Sequence, residues 1–327
     1  MEAPKNYVFP PFDELPLVEG QPQGCLWGFF DKDGKKDELG TLNLLTPQVL
    51  KAAATEIQLG KHVQLDWAMH HLDFPGFGRL QYEHRIIDLR EKGFIGFDDE
   101  LTINTQTSSQ WDGFKHWALQ KQALFYNGAT VEETRDTLRN GIHNISNRGG
   151  IVGRGILVDW LRWWEHKNPG QTPPSAITTH KIPVSEIEEV LKFQGTECRQ
   201  GDIFIIRTGF VKWHEEADDE ARIRGTRENY NLIGVENSME TVRWLYSKHF
   251  AAVAGDAQGF EAWPFPEDCC LHDWLLVYWG TPIGEMWNLE GLSQVCAEAN
   301  RWSFFFTSAP LNVEGGVATP PSAIAIL

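Results

Sequence analysis

The chain has 327 residues and a formal net charge of −16, from 45 acidic against 29 basic side chains. That surplus of negative charge argues against a nucleic-acid partner and against an anionic membrane surface. No run approaches the ~20 apolar residues of a membrane span, and the five cysteines, odd in number and without metal-knuckle spacing, argue against a disulfide framework.

The opening MEAPKNYVFPPFDELP lacks the basic start and hydrophobic stretch of a secretory leader, so a cytoplasmic location is expected. Residues 1–36 are rich in Pro and Gly and read as an extended N-terminal arm, with Trp27, Phe29 and Phe30 available to cover a pocket. Thr46 and Pro47 predict a helix from 47 to about 60, with Thr as cap and Pro in the first position. Strands are predicted at 61–67, 84–90 and 101–107. Thr130 and Glu133 form a capping-box pattern for a helix that stops at Asn140 and Gly141. A strand follows at 151–159, then a surface loop NPGQTPPSA at 168–176. Ser185 and Glu188 repeat the capping pattern, ending near Gly195. Beyond it lie a strand at 202–208, a helix at 238–249 with Val242 and Leu245 on its apolar side, and strands at 251–255 and 321–327. Strands outnumber helices and come in clusters, which predicts an α/β fold with a mixed sheet and helices packed outside. A chain of this length buries most of its apolar surface without staples.

The stretch TQTSSQWDGFKH (105–116) carries the most chemistry. If it continues the 101–107 strand, Gln106, Ser108, Gln110 and Asp112 share a face, with His116 one short turn further on. Two carboxamides, a carboxylate and an imidazole make poor core material, because buried polar groups need partners. They suit a metal or a reacting carbonyl, and equally a polar strand face under solvent.

The same segment resembles the metal-dependent cyclase/hydrolase family that includes bacterial kynurenine formamidase and isatin hydrolase, whose pattern is H-x-G-T-H-x-D-x-P-x-H. Gln106 and Gln110 stand where that family has its first two histidines, Ser108 and Ser109 replace Gly-Thr, and Phe114 replaces the proline. Asp112 and His116 match its aspartate and last histidine. Further landmarks follow in the family's order: IVGRGILVDW (151–160), GDIFIIRTGF (201–210), AVAGDAQGFE (252–261), LHDWLL (271–276), PIGEMWNLEGL (282–292) and the closing hairpin PLNVEGGVATPPSAIAIL (310–327). The two glutamines and the opening DELGTLNLLTP (37–47) look like a fungal-type branch. The resemblance implies one catalytic domain over 37–327, a compact α/β layout with a small barrel-like sheet, and a homodimer or homotetramer.

It also implies a ligand set. In the family's two-metal members one site uses the two histidines with the aspartate, and the other uses that aspartate with a later histidine and glutamate. Gln106 and Gln110 remove the imidazoles of the first site; Asp112, His272 and Glu285 keep the second. The expectation is therefore one divalent metal, Zn or Mn, on Asp112, His272 and Glu285, with Gln110 as an extra oxygen ligand. A site that has lost its metal and keeps Gln106, Gln110 and His116 as hydrogen-bonding groups is the alternative.

The expected reaction is hydrolysis of an amide, cyclic imide, lactam or lactone by metal-activated water. His116 would shuttle the proton, and the N–H groups of Gln106 and Gln110 would orient the carbonyl or its oxyanion. Among fourteen tryptophans most belong to the core or an interface, while a few are available for a flat aromatic or heterocyclic substrate. Trp111, His71 and Arg79 are the candidate substrate contacts, although a regular strand turns Trp111 to the face opposite Asp112. Two alternatives stand beside this one: a metal-free acid/base cyclase, dehydratase or isomerase of secondary metabolism, and a non-catalytic small-molecule binding protein.

Overall fold

A computed structural model describes residues 7–327. Four parallel strands, Ile151–Asp159, Ile203–Arg207, Ala252–Gly255 and Ile283–Glu285, lie side by side at the centre of a nine-stranded mixed sheet. On one flank Ser303–Ser308, Ala323–Ile326 and His62–Gln64 follow, each antiparallel to its neighbour. On the other flank Gln110–Asp112 runs antiparallel to Ile283–Glu285, and Ala318–Thr319 forms the edge.

The sheet is curled, and two connections require it. Gln110–Asp112 and Ser303–Ser308 stand five places apart in the strand order, roughly 24 Å in a flat sheet. Yet Trp111 Nε1 donates to Ser308 Oγ at 2.9 Å. Ala318–Thr319, at one edge, is separated by residues 320–322 from Ala323–Ile326, near the other. Inside the curl Trp287 stacks on Phe306 and meets Trp111 edge-on, all fully buried. Period-two alternation separates the two cores: Ile203 and Ile205 point into the curl, while Phe204 and Ile206 point outward. There they pack with Val190 from Val184–Gln194 and with Val242 and Leu245 from Met239–Lys248.

Local signals fared unevenly. The strand at Ile151–Asp159, the Thr46 cap of Pro47–Ala53 and the Thr130–Glu133 capping box of Val131–Asp136 all form. Ser238 caps Met239–Lys248 through Thr241 N. Ser185 caps nothing: the helix begins at Val184, whose side chain is drawn into the core, and Pro183 takes the cap position. The 101–107 strand is displaced to Phe97–Thr102, which pairs with Glu83–Asp88 in a separate ribbon and does not run into the site.

The N-terminal segment packs against the body of the fold. Trp27 is buried and donates through Nε1 to Val277 O at 2.6 Å, Phe30 is also buried, and Phe9 stacks on His249 with ring centres 3.9 Å apart. Leu15, Cys25, Leu26, Trp27 and Phe30 of this segment thus belong to the core, while Val8, Leu17 and Val18 stay exposed; the first six positions of the expected arm lie outside the described residues. Among the described residues no helix is long and apolar enough to cross a membrane.

Candidate active site

The three residues Gln110–Asp112 pair with Ile283–Glu285 so that Gln110 lies directly across from Glu285. Alternation then sends Gln110, Asp112 and Glu285 to one face of the sheet and Trp111 to the other. Ser109 locks the approach: its hydroxyl donates to Met286 O and accepts from Trp67 N, both at 2.6 Å. Gln106 reaches the same face through a turn, with Thr107 N donating to Asn104 O, and not by continuing a strand. His272 enters from the segment leading into Asp273–Trp279, and His116 from the turn after Asp112.

Asp112 is fully buried, and its Oδ2 lies 3.9 Å from His116 Nε2 and 3.9 Å from His272 Nε2. His272 Nε2 is also 3.4 Å from Glu285 Oε1. The two amides form a ladder between the carboxylates. Gln106 Nε2 donates to Asp112 Oδ1, and Gln110 Nε2 donates to Gln106 Oε1 and to Glu285 Oε2, both at 2.8 Å. Both N–H bonds of Gln110 and one of Gln106 are therefore engaged within the cluster, where the expectation had them oriented toward a substrate carbonyl. The glutamines position the carboxylates.

Within this cluster two buried oxygens are left without a hydrogen-bond partner, Asp112 Oδ2 and Gln110 Oε1. An unpaired carboxylate oxygen taken out of water is costly, and a cation in the cluster would relieve it. The spacing suits one: atoms that each sit ~2.0–2.2 Å from a common ion lie at most ~4.4 Å apart, which accommodates the 3.4 Å and 3.9 Å separations above. The donors, two imidazole nitrogens, carboxylate oxygens and a carboxamide oxygen, suit a divalent metal ion. The ligand atoms of Asp112, His116 and His272 all fall within 4.8 Å of one another, so His116 joins the possible ligands.

The electrostatics draw positive charge to this point. Burial raises the pKa of Asp112, and Glu285 adds to that rise, while His116, His272 and the Gln106 hydrogen bond oppose it. Burial works to lower the pKa of His272, but hydrogen bonds and charges from Glu261 and Glu285 outweigh it and hold the imidazole well above its ordinary range. Glu261 was not foreseen as a site residue. It is buried, and its carboxylate accepts from the backbone N–H groups of Leu271 and His272 and contacts His272 Nδ1 at 2.6 Å. The only sequence signal was its place at the end of AVAGDAQGFE.

The structure thus brings together Gln106, Gln110, Asp112, His116, His272 and Glu285, and leaves three expected residues outside. Trp111 is a core residue behind the sheet, because the pleat turns it inward. His71 Nδ1 is held by Glu215 at 2.7 Å, which also takes the Trp67 indole N–H. Arg79 donates to the backbone oxygen of Gln106 at 3.0 Å and so braces the turn. The aromatic ring beside the cluster is Trp117, 5.4 Å from the ring of His272 and 6.3 Å from Phe265. Other landmark residues are structural: Asp256 accepts from Thr208 and from the N–H groups of Gly209 and Phe210, while Arg207 bridges Asp159 and Glu290.

A family model described as "Putative cyclase" matches residues 35–262. The chain belongs to this cyclase family. The match stops short of His272 and Glu285, which the fold alone joins to Asp112. A crystal structure described as a novel cyclase is 29% identical, covers 93% of this chain and 99% of its own, and superposes with a TM-score of 0.80. Isatin hydrolase A from Ralstonia solanacearum shares the fold at 18% identity, with 85% and 97% of the two chains covered and a TM-score of 0.58. So does an isatin hydrolase bound to the product analogue thioisatinate, at 13% identity, 85% and 95% coverage and a TM-score of 0.55. No curated protein matches the sequence.

Proposed function

We propose that this cyclase-family member is a hydrolase that opens an amide, cyclic imide, lactam or lactone at the Asp112 cluster. The observation that carries the reading is the buried, unpartnered Oδ2 of Asp112 facing two imidazole nitrogens. Asp112, His272 and Glu285, with Gln110 Oε1, would hold one divalent cation, Zn or Mn. Such an ion, when bound, lowers the pKa of water and polarises a carbonyl.

The remaining work belongs to the chain. His116 is the more open of the two imidazoles, with 18% of its side chain exposed against 11% for His272. It is placed to take a proton from the attacking water and return it to the leaving nitrogen or oxygen. Glu261 holds Nδ1 of His272, which turns Nε2 toward Asp112 and Glu285. Trp117 and Phe265 offer a stacking surface for a flat aromatic or heterocyclic small molecule. The shared fold of the isatin hydrolases supports a hydrolytic chemistry, and five free thiols fit a cytoplasmic setting. A second assignment, His116 as a ligand instead of a proton carrier, is favoured by its place in the 4.8 Å cluster.

Elemental analysis of protein purified without chelator, with turnover assays on aryl formamides, cyclic imides and lactones, tests this reading. About one equivalent of Zn or Mn, lost in Asp112→Ala together with turnover, is expected. EDTA-insensitive turnover without net addition of water would assign the site to metal-free acid/base cyclisation, dehydration or isomerisation. Saturable binding without turnover would assign it to a binding protein.

A further inference from the structure

Acidic side chains outnumber basic ones 45 to 29, and nearly every arginine meets a carboxylate. Among the described residues only Arg79, Arg148 and Arg227 have none within 4.0 Å. Arg148 spends its guanidinium on the backbone oxygens of Leu42, Leu45 and Gly150. The other two flank one loop. Arg227 lies over Phe74, with Cζ 5.3 Å from the ring centre, and Arg79 lies over Phe77 at 5.0 Å.

Arg79 stands outside the carboxylate–imidazole cluster yet is tied to it. Its Nη1 donates to Gln106 O at 3.0 Å, and the Gln106 side chain donates to Asp112. Phe77 reaches the same cluster by an aromatic path. Its ring lies 6.4 Å from Trp263, Trp263 lies 4.6 Å from Phe265, and Phe265 lies 6.3 Å from Trp117, which is 5.4 Å from His272. These contacts close a ring that runs from Arg79 through the cluster and back along the aromatics. Every member outside the cluster is at least partly exposed, as is His116 beside Trp117, so the ring is the rim of an opening. Phe77 holds its place at a conformational cost: its φ of 58° is left-handed, a region that bulky residues avoid. Tyr230 keeps it there, with its hydroxyl accepting from Phe77 N at 3.3 Å and its ring 4.6 Å away.

We propose that Arg79 selects the substrate: its guanidinium binds a carboxylate carried by an aromatic compound whose ring lies along Phe265 and Trp117, with the scissile bond at Asp112. What happens to that bond rests on the hydrolase function proposed above; the selection by charge does not.

Electrostatics set the orientation. Asp112, Glu285 and Glu261 repel an anion from the depth of the site, whereas the unpaired guanidiniums of Arg79 and Arg227 attract one to the rim. A carboxylate on the far side of an aromatic ring from the scissile bond meets both demands. A planar guanidinium grips a carboxylate through two parallel N–H groups, and Arg79 has spent only Nη1. The face of Phe77 orients the guanidinium for that grip.

Isothermal titration calorimetry with naphthalene-2-carboxylate and naphthalene-2-carboxamide tests the proposal, on protein as purified and after EDTA treatment. Wild type should prefer the carboxylate by about 10–100-fold in both states, the usual worth of hydrogen bonds to a charged group. Arg79→Gln should abolish the preference. Arg79→Lys should keep part of it, because an ammonium retains the charge but not the fork. The ratio of the two affinities isolates charge, since a Gln106 turn loosened by the lost brace weakens both ligands alike. Equal affinities in wild type, or no binding of either compound at millimolar concentration, overturn the proposal. So does a preference that survives Arg79→Gln; if that preference disappears with EDTA, the carboxylate belongs to a bound cation. Turnover assays separate the two claims. Carboxylate preference without hydrolysis of any amide, imide or lactone keeps the Arg79 site and sinks the hydrolase, and hydrolysis without carboxylate preference does the reverse.

Discussion

Glu261 Oε1 stands 2.6 Å from Nδ1 of His272, while Nε2 of the same ring lies 3.4 Å from Glu285 and 3.9 Å from Asp112. One carboxylate fixes the ring from behind so that its other nitrogen faces the two in front. This is the outer-shell arrangement that raises the basicity of a ligating imidazole and sets its tautomer. Glu261→Gln should keep the fold and lower affinity for Zn or Mn by about 10–100-fold. Chelator-competition titration reads this directly, and unchanged affinity would reduce Glu261 to packing.

His116→Ala should lower kcat by about 10²–10⁴-fold, the usual contribution of a proton-transfer group, with the metal retained. The informative measurement pairs kcat with metal content. Loss of both would make His116 a ligand, as its 3.9 Å approach to Asp112 permits.

Gln110→Leu should destabilise the protein by about 1–3 kcal/mol. The change removes the donor on Glu285 Oε2 and the donor on Gln106 Oε1, leaving buried acceptors with less compensation. The urea midpoint would fall at constant slope. An unchanged midpoint would show that water satisfies both oxygens.

Stability should decline as pH falls from about 6.5 toward 4. Burial, reinforced by Arg222, pushes the pKa of His214 down to about 4. Both of its ring nitrogens are buried without partners, and the ring packs edge-on against Trp67 at 4.7 Å. A folded-state pKa below the unfolded one means the contribution is present above pH ~6.5 and lost as pH drops through the folded value. His214→Phe should flatten this part of the pH profile of urea midpoints. A variant with the same acid slope as wild type would place the effect elsewhere, with His249, itself pushed down to about 4 by burial, the next to test.

Much that depends on near neighbours was legible in the chain. The Thr130–Glu133 box, the Thr46 cap and the strand at Ile151–Asp159, buried at every position but Val152, formed as the local pattern required, because caps and alternation are decided within a turn or a few residues. Asp112, His116, His272 and Glu285 could likewise be named, through the family resemblance that motifs in order along the chain carry. Their roles could not. Whether the glutamine N–H groups were free for substrate depended on which acceptors came within 3 Å, and Gln110 finds one in Glu285, 175 positions away. Ser185 lost its cap because Val184 was pulled into the core, and the strand expected to carry Gln106 was drawn off into the ribbon. Glu261 shows the same limit: nothing local marks a carboxylate as the support of an imidazole until the fold brings the two together. Which donors the chain carries, and much of its local backbone, follow from residue identity and near neighbours. The tertiary structure decided which donors meet, since buried hydrogen-bond pairing is settled among residues far apart along the chain.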